Sequence, residues 1–166
     1  SRGEIVRELL IDSLVPAAVR PPAGPILDVG TGAGLPGIPL EIAYPDCPVT
    51  LVEPRRKRST FLKIATNRLD LADVTIERAR IEEIEVRPFD YCISKAFRAP
   101  AEWLEAAAPF RTDDGVVVCM TTPEERDGAD EKAGELGLER VGTLDDVGEL
   151  AGESGKSERA VYIYGM

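Results

Sequence analysis

Glycines at positions 30, 32 and 34 follow directly after an apolar run that includes Asp28. Glycine adopts backbone angles that other residues avoid, and it lets a ligand approach the main chain closely. The apolar run predicts a buried strand, and Pro36 suits the first turn of a following helix. Together these residues predict a strand, a glycine turn and a helix, which open a nucleotide-binding βαβ unit.

The carboxylate of Asp28 separates the two cofactor classes that use such a unit. Gly32, Gly34 and Gly37 match the dinucleotide spacing, but Gly30 already closes the strand ahead of them. NAD would bring a pyrophosphate to this turn, and a carboxylate there would repel it. S-adenosylmethionine carries a sulfonium and an ammonium instead of phosphate. Asp28 therefore favours S-adenosylmethionine, and an NAD-dependent dehydrogenase is the alternative enzyme.

A second acid, Glu53, stands at the end of the next predicted strand. It follows Gly30 by 23 residues, near the ~20 expected of an acid that binds a ribose. Two carboxylate oxygens can accept hydrogen bonds from both ribose hydroxyls, so Glu53 is predicted to bind the ribose. The alternative is an ordinary acid at a helix start, stabilised by the helix dipole.

Composition limits the remaining possibilities. The length of 166 residues predicts one domain, and no apolar run approaches the ~18 residues of a membrane span. The sequence contains no histidine, which removes histidine-dependent catalysis and histidine-ligated metal sites. Three widely spaced cysteines indicate free thiols in a reducing compartment. We expect a cytoplasmic monomer with no metal and no membrane partner.

The charge is unevenly distributed along the chain. The net charge is −10, and residues 121–158 contribute −8 of it through twelve acids and four bases. Residues 54–69 carry six bases and no acid. A basic patch on an acidic protein can steer a polyanion locally, although it can equally be a solvated helix face. Arg55 and Arg56 in this patch are predicted RNA contacts.

Alternation of strand and helix patterns predicts a doubly wound, Rossmann-like α/β sheet, mostly parallel with an antiparallel last strand. Helices are predicted over 4–15, 35–43, 55–70 and 99–109, with one more from Pro123. Strands are predicted near residues 26–29, 48–52, 73–77, 89–94, 115–120, 138–143 and 159–164. Residues 145–157 are predicted to form a loop. Residues 1–24 are predicted as a helix and linker, with Pro16 ending the helix, and residues 25–166 as the cofactor-binding domain.

Several motifs in the first hundred residues resemble those of the RsmG (GidB) family. They are DVGTGAGLPGIPL, a strand ending in an acid, Lys57-Arg58, Phe61-Leu62, Arg80-x-Glu82-Glu83, Phe89-Asp90 and Ser94-Lys95-Ala96-Phe97, together with Asp12-Ser13. The family transfers a methyl group from S-adenosylmethionine to N7 of one guanine in 16S ribosomal RNA. The resemblance implies the same fold, cofactor and reaction here, with 16S ribosomal RNA or the 30S subunit as partner.

The resemblance also implies roles for individual residues. Gly30 and Leu35 frame the methionine end of the cofactor, Ile81 and Glu82 border the adenine, and Lys95 stands where the family usually has arginine. The full predicted cofactor set is Asp28, Gly30, Thr31, Gly32, Gly34, Leu35, Glu53, Ile81, Glu82 and Lys95. Arg159 joins Arg55 and Arg56 as a predicted RNA contact. No catalytic residue is assigned, because guanine N7 has a free lone pair and no proton to lose.

The sequence departs from the family pattern at three places. Leu9 replaces a histidine, residues 119–122 replace a Lys-Gly pair, and Ala160 replaces a second histidine. We also expect the chain to lack the family's longer N-terminal helical region. Two alternatives therefore stay open within this fold. One is methylation of a small molecule or protein, and the other is a cofactor-binding module without turnover.

Overall fold

The computed structural model describes residues 2–145 and 159–166, and these residues contain one seven-stranded sheet. The strand order is β3-β2-β1-β4-β5-β7-β6. The strands are β1 (Ile26–Val29), β2 (Val49–Val52), β3 (Val74–Glu77), β4 (Phe89–Lys95), β5 (Arg111–Thr121), β6 (Glu139–Leu144) and β7 (Ala160–Gly165). Strands β1 to β5 pair in parallel, and β7 runs antiparallel to both neighbours. The predicted fold class is therefore confirmed.

Helices cover both faces of this sheet. They are α1 (Arg2–Val19), α2 (Gly37–Ala43), α3 (Arg56–Arg68), α4 (Pro100–Ala107) and α5 (Arg126–Glu135). Short 3-10 turns span Ile81–Glu83, Ala108–Phe110 and Pro123–Glu125. In the part of the chain that the structure describes, no helix is long and apolar enough to cross a membrane.

Two apolar cores lie on the two sheet faces because neighbouring strand residues point in opposite directions. Ile26 of β1 packs in one core with residues of α1, α2 and α3, including Leu40 and Leu62. Leu27 packs in the other with α4 and α5, including Trp103. Burial on both faces explains why β1 and β2 are mostly apolar and are buried at every residue, without alternation. The three cysteines, Cys47, Cys92 and Cys119, are free as predicted, and all three are buried.

The strand order reverses between β1 and β4, since the chain winds from β1 to β3 in one direction and then from β4 to β5 in the other. In open α/β sheets the crevice beyond the carboxyl ends of strands at such a switch point is where ligands bind. The residues that follow β1 and β4 therefore form the candidate site.

The prediction that Pro16 ends the first helix was wrong. Helix α1 continues through Pro16 to Val19, and the Arg20 amide donates to the Pro16 carbonyl at 3.0 Å. The helical spacing of the apolar residues Leu9 and Leu10 also predicts that both face inward, but they are exposed. Packing against α2 and β6 instead buries residues of the second half of α1, including Val15. A domain boundary at residue 24 stays a prediction, as does the loop over 145–157, which except for Asp145 lies outside the described residues.

The sequence predicts a buried face of α3 formed by Phe61, Leu62, Ala65 and Leu69, and this prediction was partly wrong. Leu62 is buried, but Phe61 is 51% exposed and Leu69 is also exposed. Ser59 and Thr66 lie inward beside Leu62 because they are three and four residues away from it along the helix. Phe61 is adjacent to Leu62 in sequence and so points about 100° away from it.

Replacing Ile93 tests whether both cores depend on the central strand. Ile93 lies fully buried in β4, so Ile93→Ala should lower the free energy of unfolding by about 2–5 kcal/mol. The exposed Val86→Ala should change it by at most about 0.5 kcal/mol. The single tryptophan, Trp103, lies in the opposite core, so its fluorescence during urea unfolding reports whether the layers unfold together. Equal midpoints for both variants would contradict this expectation.

Candidate active site

The glycine loop between β1 and α2 has little room for side chains. Gly30 and Gly34 have φ angles of +71° and +89°, a region that other residues rarely adopt. A Cβ at Gly30 would come within 2.7 Å of Phe97 Cδ2, and one at Gly34 would clash with Ile38. The loop closes on itself because the amides of Gly34 and Leu35 donate to the Thr31 carbonyl at 2.9 and 3.1 Å.

Asp28 is hydrogen-bonded to both ends of this loop. Its Oδ2 accepts hydrogen bonds from the Thr31 hydroxyl at 2.6 Å and from the Gly37 amide at 2.8 Å. The carboxyl is fully buried, and burial raises its pKa to about 6 although both hydrogen bonds oppose the shift. Asp28 is not among the residues that line the adjoining cavity. Its predicted attraction for a cationic cofactor stays a prediction.

Glu53 fastens the same loop to the start of α3. One carboxylate oxygen accepts the Gly32 amide at 3.2 Å, and the other accepts the Arg55 amide at 2.8 Å. The Arg58 Nη1 atom lies 3.7 Å from Glu53 Oε2. Glu53 is only 2% exposed, yet each carboxylate oxygen has a further lone pair that could accept a ribose hydroxyl. Its ribose contact stays a prediction.

A cavity of about 410 Å³ opens beyond the carboxyl ends of β1 and β2, and we call it the first cavity. Its lining residues are Val29, Gly30, Val52, Pro54, Ala79, Arg80, Ile81, Glu82, Glu83, Phe97 and Arg98. Ile81 is buried and Glu82 is exposed, so an apolar wall meets a polar rim. Both line this cavity, together with Gly30. Of the other predicted cofactor residues, Thr31, Gly32, Gly34 and Leu35 lie in the adjoining loop.

Phe97 and Arg98 were missed by sequence reasoning as residues of this cavity. Phe97 packs edge-on against Trp103, with ring centroids 6.4 Å apart at 87°. The Arg98 guanidinium lies 4.7 Å from the centre of the Phe97 ring and forms an ion pair with Glu82. The hydrogen bond from Arg98 lowers the pKa of Glu82. Their place directly after β4, at the reversal of strand order, is the signal that could have identified them.

A second cavity of about 300 Å³ shares Arg98 with the first, and we call it the second cavity. Its lining residues are Asp12, Lys95, Ala96, Arg98, Met120, Thr121, Thr122, Glu125, Arg159, Ala160 and Val161. Lys95 lies here and does not line the first cavity, although it was predicted to bind the cofactor. Arg159, a predicted RNA contact, also lies here. Arg55 and Arg56 are exposed at the start of α3 and line neither cavity.

Asp12 links three distant segments at the second cavity. Its buried Oδ2 forms an ion pair with Arg159 and lies 3.5 Å from Lys95 Nζ. Helix α1 therefore contributes directly to this cavity, with a carboxylate that neutralises part of the positive charge. No group of three or more acidic, cysteine or histidine side chains suited to a metal ion occurs within residues 2–145 and 159–166.

The raised pKa of Asp28 predicts that the stability of the protein depends on pH. An Asp with an ordinary value of 3.8 and a folded value of about 6 stabilises the folded state at low pH, and this contribution is lost as the pH rises through about 6. Asp28→Asn cannot titrate, so its free energy of unfolding relative to wild type should rise by about 2–2.5 kcal/mol from pH 4 to pH 7. Urea unfolding at several pH values measures this difference. A difference that stays constant would contradict the buried titration.

Comparison with known proteins places this arrangement in a family. The family profile described as rRNA small subunit methyltransferase G, GidB, matches residues 1–145. The ribosomal RNA small subunit methyltransferase G of Chromohalobacter salexigens is 38% identical over 129 residues, which cover 78% of this chain and 60% of that protein. The protein of the same name from Actinobacillus pleuropneumoniae is 34% identical over 150 residues, covering 90% of this chain and 72% of that protein.

Solved structures share the fold at low sequence identity. Mitomycin 7-O-methyltransferase MmcR superposes with a TM-score of 0.72 at 15% identity, covering 94% of this chain and 53% of that chain. TYW2 from M. jannaschii, solved in complex with AdoMet, superposes with a TM-score of 0.70 at 15% identity, covering 99% of this chain and 75% of that chain. The chain spans about half the length of many of the curated relatives it matches. On the family match and these relatives, the chain belongs to the RsmG (GidB) family.

Proposed function

We propose that this chain transfers the methyl group of S-adenosylmethionine to N7 of a guanine in 16S ribosomal RNA. The observation that carries the proposal is the pair of adjoining cavities at the reversal of strand order, with Arg98 in the wall of both. A donor in one cavity and an acceptor in the other would meet at this shared wall. Membership of the RsmG family supports the choice of donor and acceptor.

The first cavity fits S-adenosylmethionine better than a dinucleotide. A pyrophosphate needs free backbone amides at a helix N-terminus. Here the Gly37 amide already donates to Asp28 at 2.8 Å, and the Ile38 amide donates to the Gly34 carbonyl at 2.8 Å. Two buried carboxylates, Asp28 and Glu53, also stand behind the loop. These observations count against NAD and suit a cofactor that is cationic at its reactive end.

Residues that line the first cavity, together with Glu53 beside it, suit the parts of this cofactor. Ile81 and Phe97 supply apolar surface for an adenine ring, and Glu53 is the proposed acceptor for ribose hydroxyls. Gly30 leaves the main chain bare where the methionine end would lie. When bound, the cofactor supplies a methyl group on a positively charged sulfur.

The second cavity supplies polar groups for a guanine. Lys95 and Arg159 can donate hydrogen bonds to the O6 atom, as cationic side chains do to guanine elsewhere. The Glu125 carboxylate can accept from the N1–H and N2–H groups of the same base. N7 carries a lone pair and no proton, so the protein needs to align the base and does not need a general base. Alignment alone can lower a barrier by about 7–11 kcal/mol in favourable cases, and the absence of histidine is compatible with this chemistry.

Methyl transfer to 30S subunits that lack the modification is the decisive experiment. Cofactor labelled in its methyl group is incubated with such subunits, with free 16S ribosomal RNA, and with fully modified subunits as the matched control. We expect the label to enter unmodified RNA and not the fully modified subunits. Chemical cleavage of the RNA chain at 7-methylguanine should then locate the labelled base. The net charge of −10 favours a small-molecule acceptor as the second candidate. Cofactor binding without labelling of either RNA would support that candidate and contradict the proposal.

Glu53 gives a test of the proposed ribose contact. Glu53→Ala should weaken binding of S-adenosylhomocysteine by about 1.5–3 kcal/mol, the range for hydrogen bonds to a charged group. Because Glu53 also holds the Gly32 amide, the loss could come from the loop alone. Calorimetric titration with the 2′-deoxyribose analogue separates the two causes. Wild type should prefer the ribose form, and Glu53→Ala should bind both forms equally. A preference that survives in the variant would remove Glu53 from the ribose site.

A further inference from the structure

We infer that a groove beside the glycine loop holds an unpaired nucleotide of the RNA substrate, with its base stacked on Phe61. The groove is lined by Gly32, Ala33, Lys57, Arg58 and Phe61, and we call it the Phe61 groove. The inference rests on the proposed function only in that the substrate is RNA. It assigns a binding site outside both cavities and does not depend on which atom is methylated.

Phe61 is an aromatic side chain left half in solvent. It is 51% exposed and belongs to neither apolar core of the described residues. Burying such a ring completely would stabilise the protein, so this helix forgoes part of that gain at Phe61. Lys57 and Arg58 precede it by four and three residues and therefore share its face of α3. The Phe61 ring is therefore flanked by two cations on one face of the helix.

The charge around this ring suits a polyanion. Residues 54–69 contain six bases and no acid. An acid also lies close to the groove, since Glu53 Oε2 is 3.7 Å from Arg58 Nη1. A guanidinium has five N–H donors, and the Arg58 side chain is 51% exposed, so donors remain available to a phosphate. Phosphates could thus be held by Lys57 and Arg58 while a base rests on Phe61.

The other side of the groove is formed by two small residues of the glycine loop. Gly32 and Ala33 line it, and Gly32 is two residues from Gly30, which lines the first cavity. A flat base needs an aromatic face and a small opposing surface, and both are present. Single-stranded RNA is recognised in this manner, by bases stacked on aromatic rings and phosphates held by basic side chains. A protein partner would instead favour a broader apolar surface with mixed charge.

Substitutions of Phe61 test the stacking directly. Phe61→Ala should weaken binding of the full chain to unmodified 30S subunits by about 5- to 150-fold, the range for loss of one base–aromatic stack. Phe61→Trp should retain the affinity, and Phe61→Leu should lose most of it because leucine is apolar without a ring. Ile64→Ala is the matched control, since Ile64 is 50% exposed on the same helix but does not line the groove. Filter binding measures affinity, and calorimetry with S-adenosylhomocysteine should show no change.

Salt dependence separates stacking from charge. Replacing Lys57 and Arg58 together with Ala should lower the log–log salt slope by about one unit or more, since each phosphate contact contributes about 0.7 on single strands. Phe61→Ala should lower affinity at an unchanged slope. Equal binding by wild type and Phe61→Ala, or full affinity in Phe61→Leu, would overturn the inference while leaving the proposed function intact. Failure of wild type to bind 30S subunits or free 16S ribosomal RNA would overturn both.

Discussion

Two buried carboxylates hold the glycine loop in place, and the candidate site depends on them. A loop with glycines at three alternate positions has few side chains with which to fix its own shape. Asp28 at the end of β1 accepts the amide of Gly37, and Glu53 after β2 accepts the amide of Gly32. The two adjacent parallel strands thus fix two points along the loop. The sheet itself positions the backbone that would face a ligand.

The same hydrogen bonds also define what the loop can bind. Amides that would attract a phosphate are used within the protein, and the acids that use them make the region more negative. One of those acids is buried deeply enough to raise its pKa to about 6. Near neutral pH the buried charge of Asp28 is therefore unfavourable, but the hydrogen bonds that this carboxylate accepts fix the loop. Such a compromise is common where a site needs a defined backbone.

The sequence predicted the sheet and the loop well because both depend on local patterns. Apolar runs such as that before Asp28 identify strands, and glycine spacing identifies the turn. Predictions failed where tertiary packing decides where a helix ends or which side chain is buried. Helix α1 continues through Pro16, and in α3 Leu62 is buried in place of its neighbour Phe61. The second cavity could not be predicted as a unit. Asp12 and Arg159 meet there from positions 147 residues apart in sequence, and only the folded chain brings them together.

The place of β7 has a consequence for the order in which the chain can fold as it is synthesised. Strand β7 lies between β5 and β6 and pairs with both, although both precede it in the chain. A growing chain therefore exposes β5 and β6 before the strand that joins them exists. Strands β1 to β5 can assemble first, since each pairs with strands already made. The edge of β5 stays unpaired until β7 arrives, which leaves it open to a wrong partner during translation.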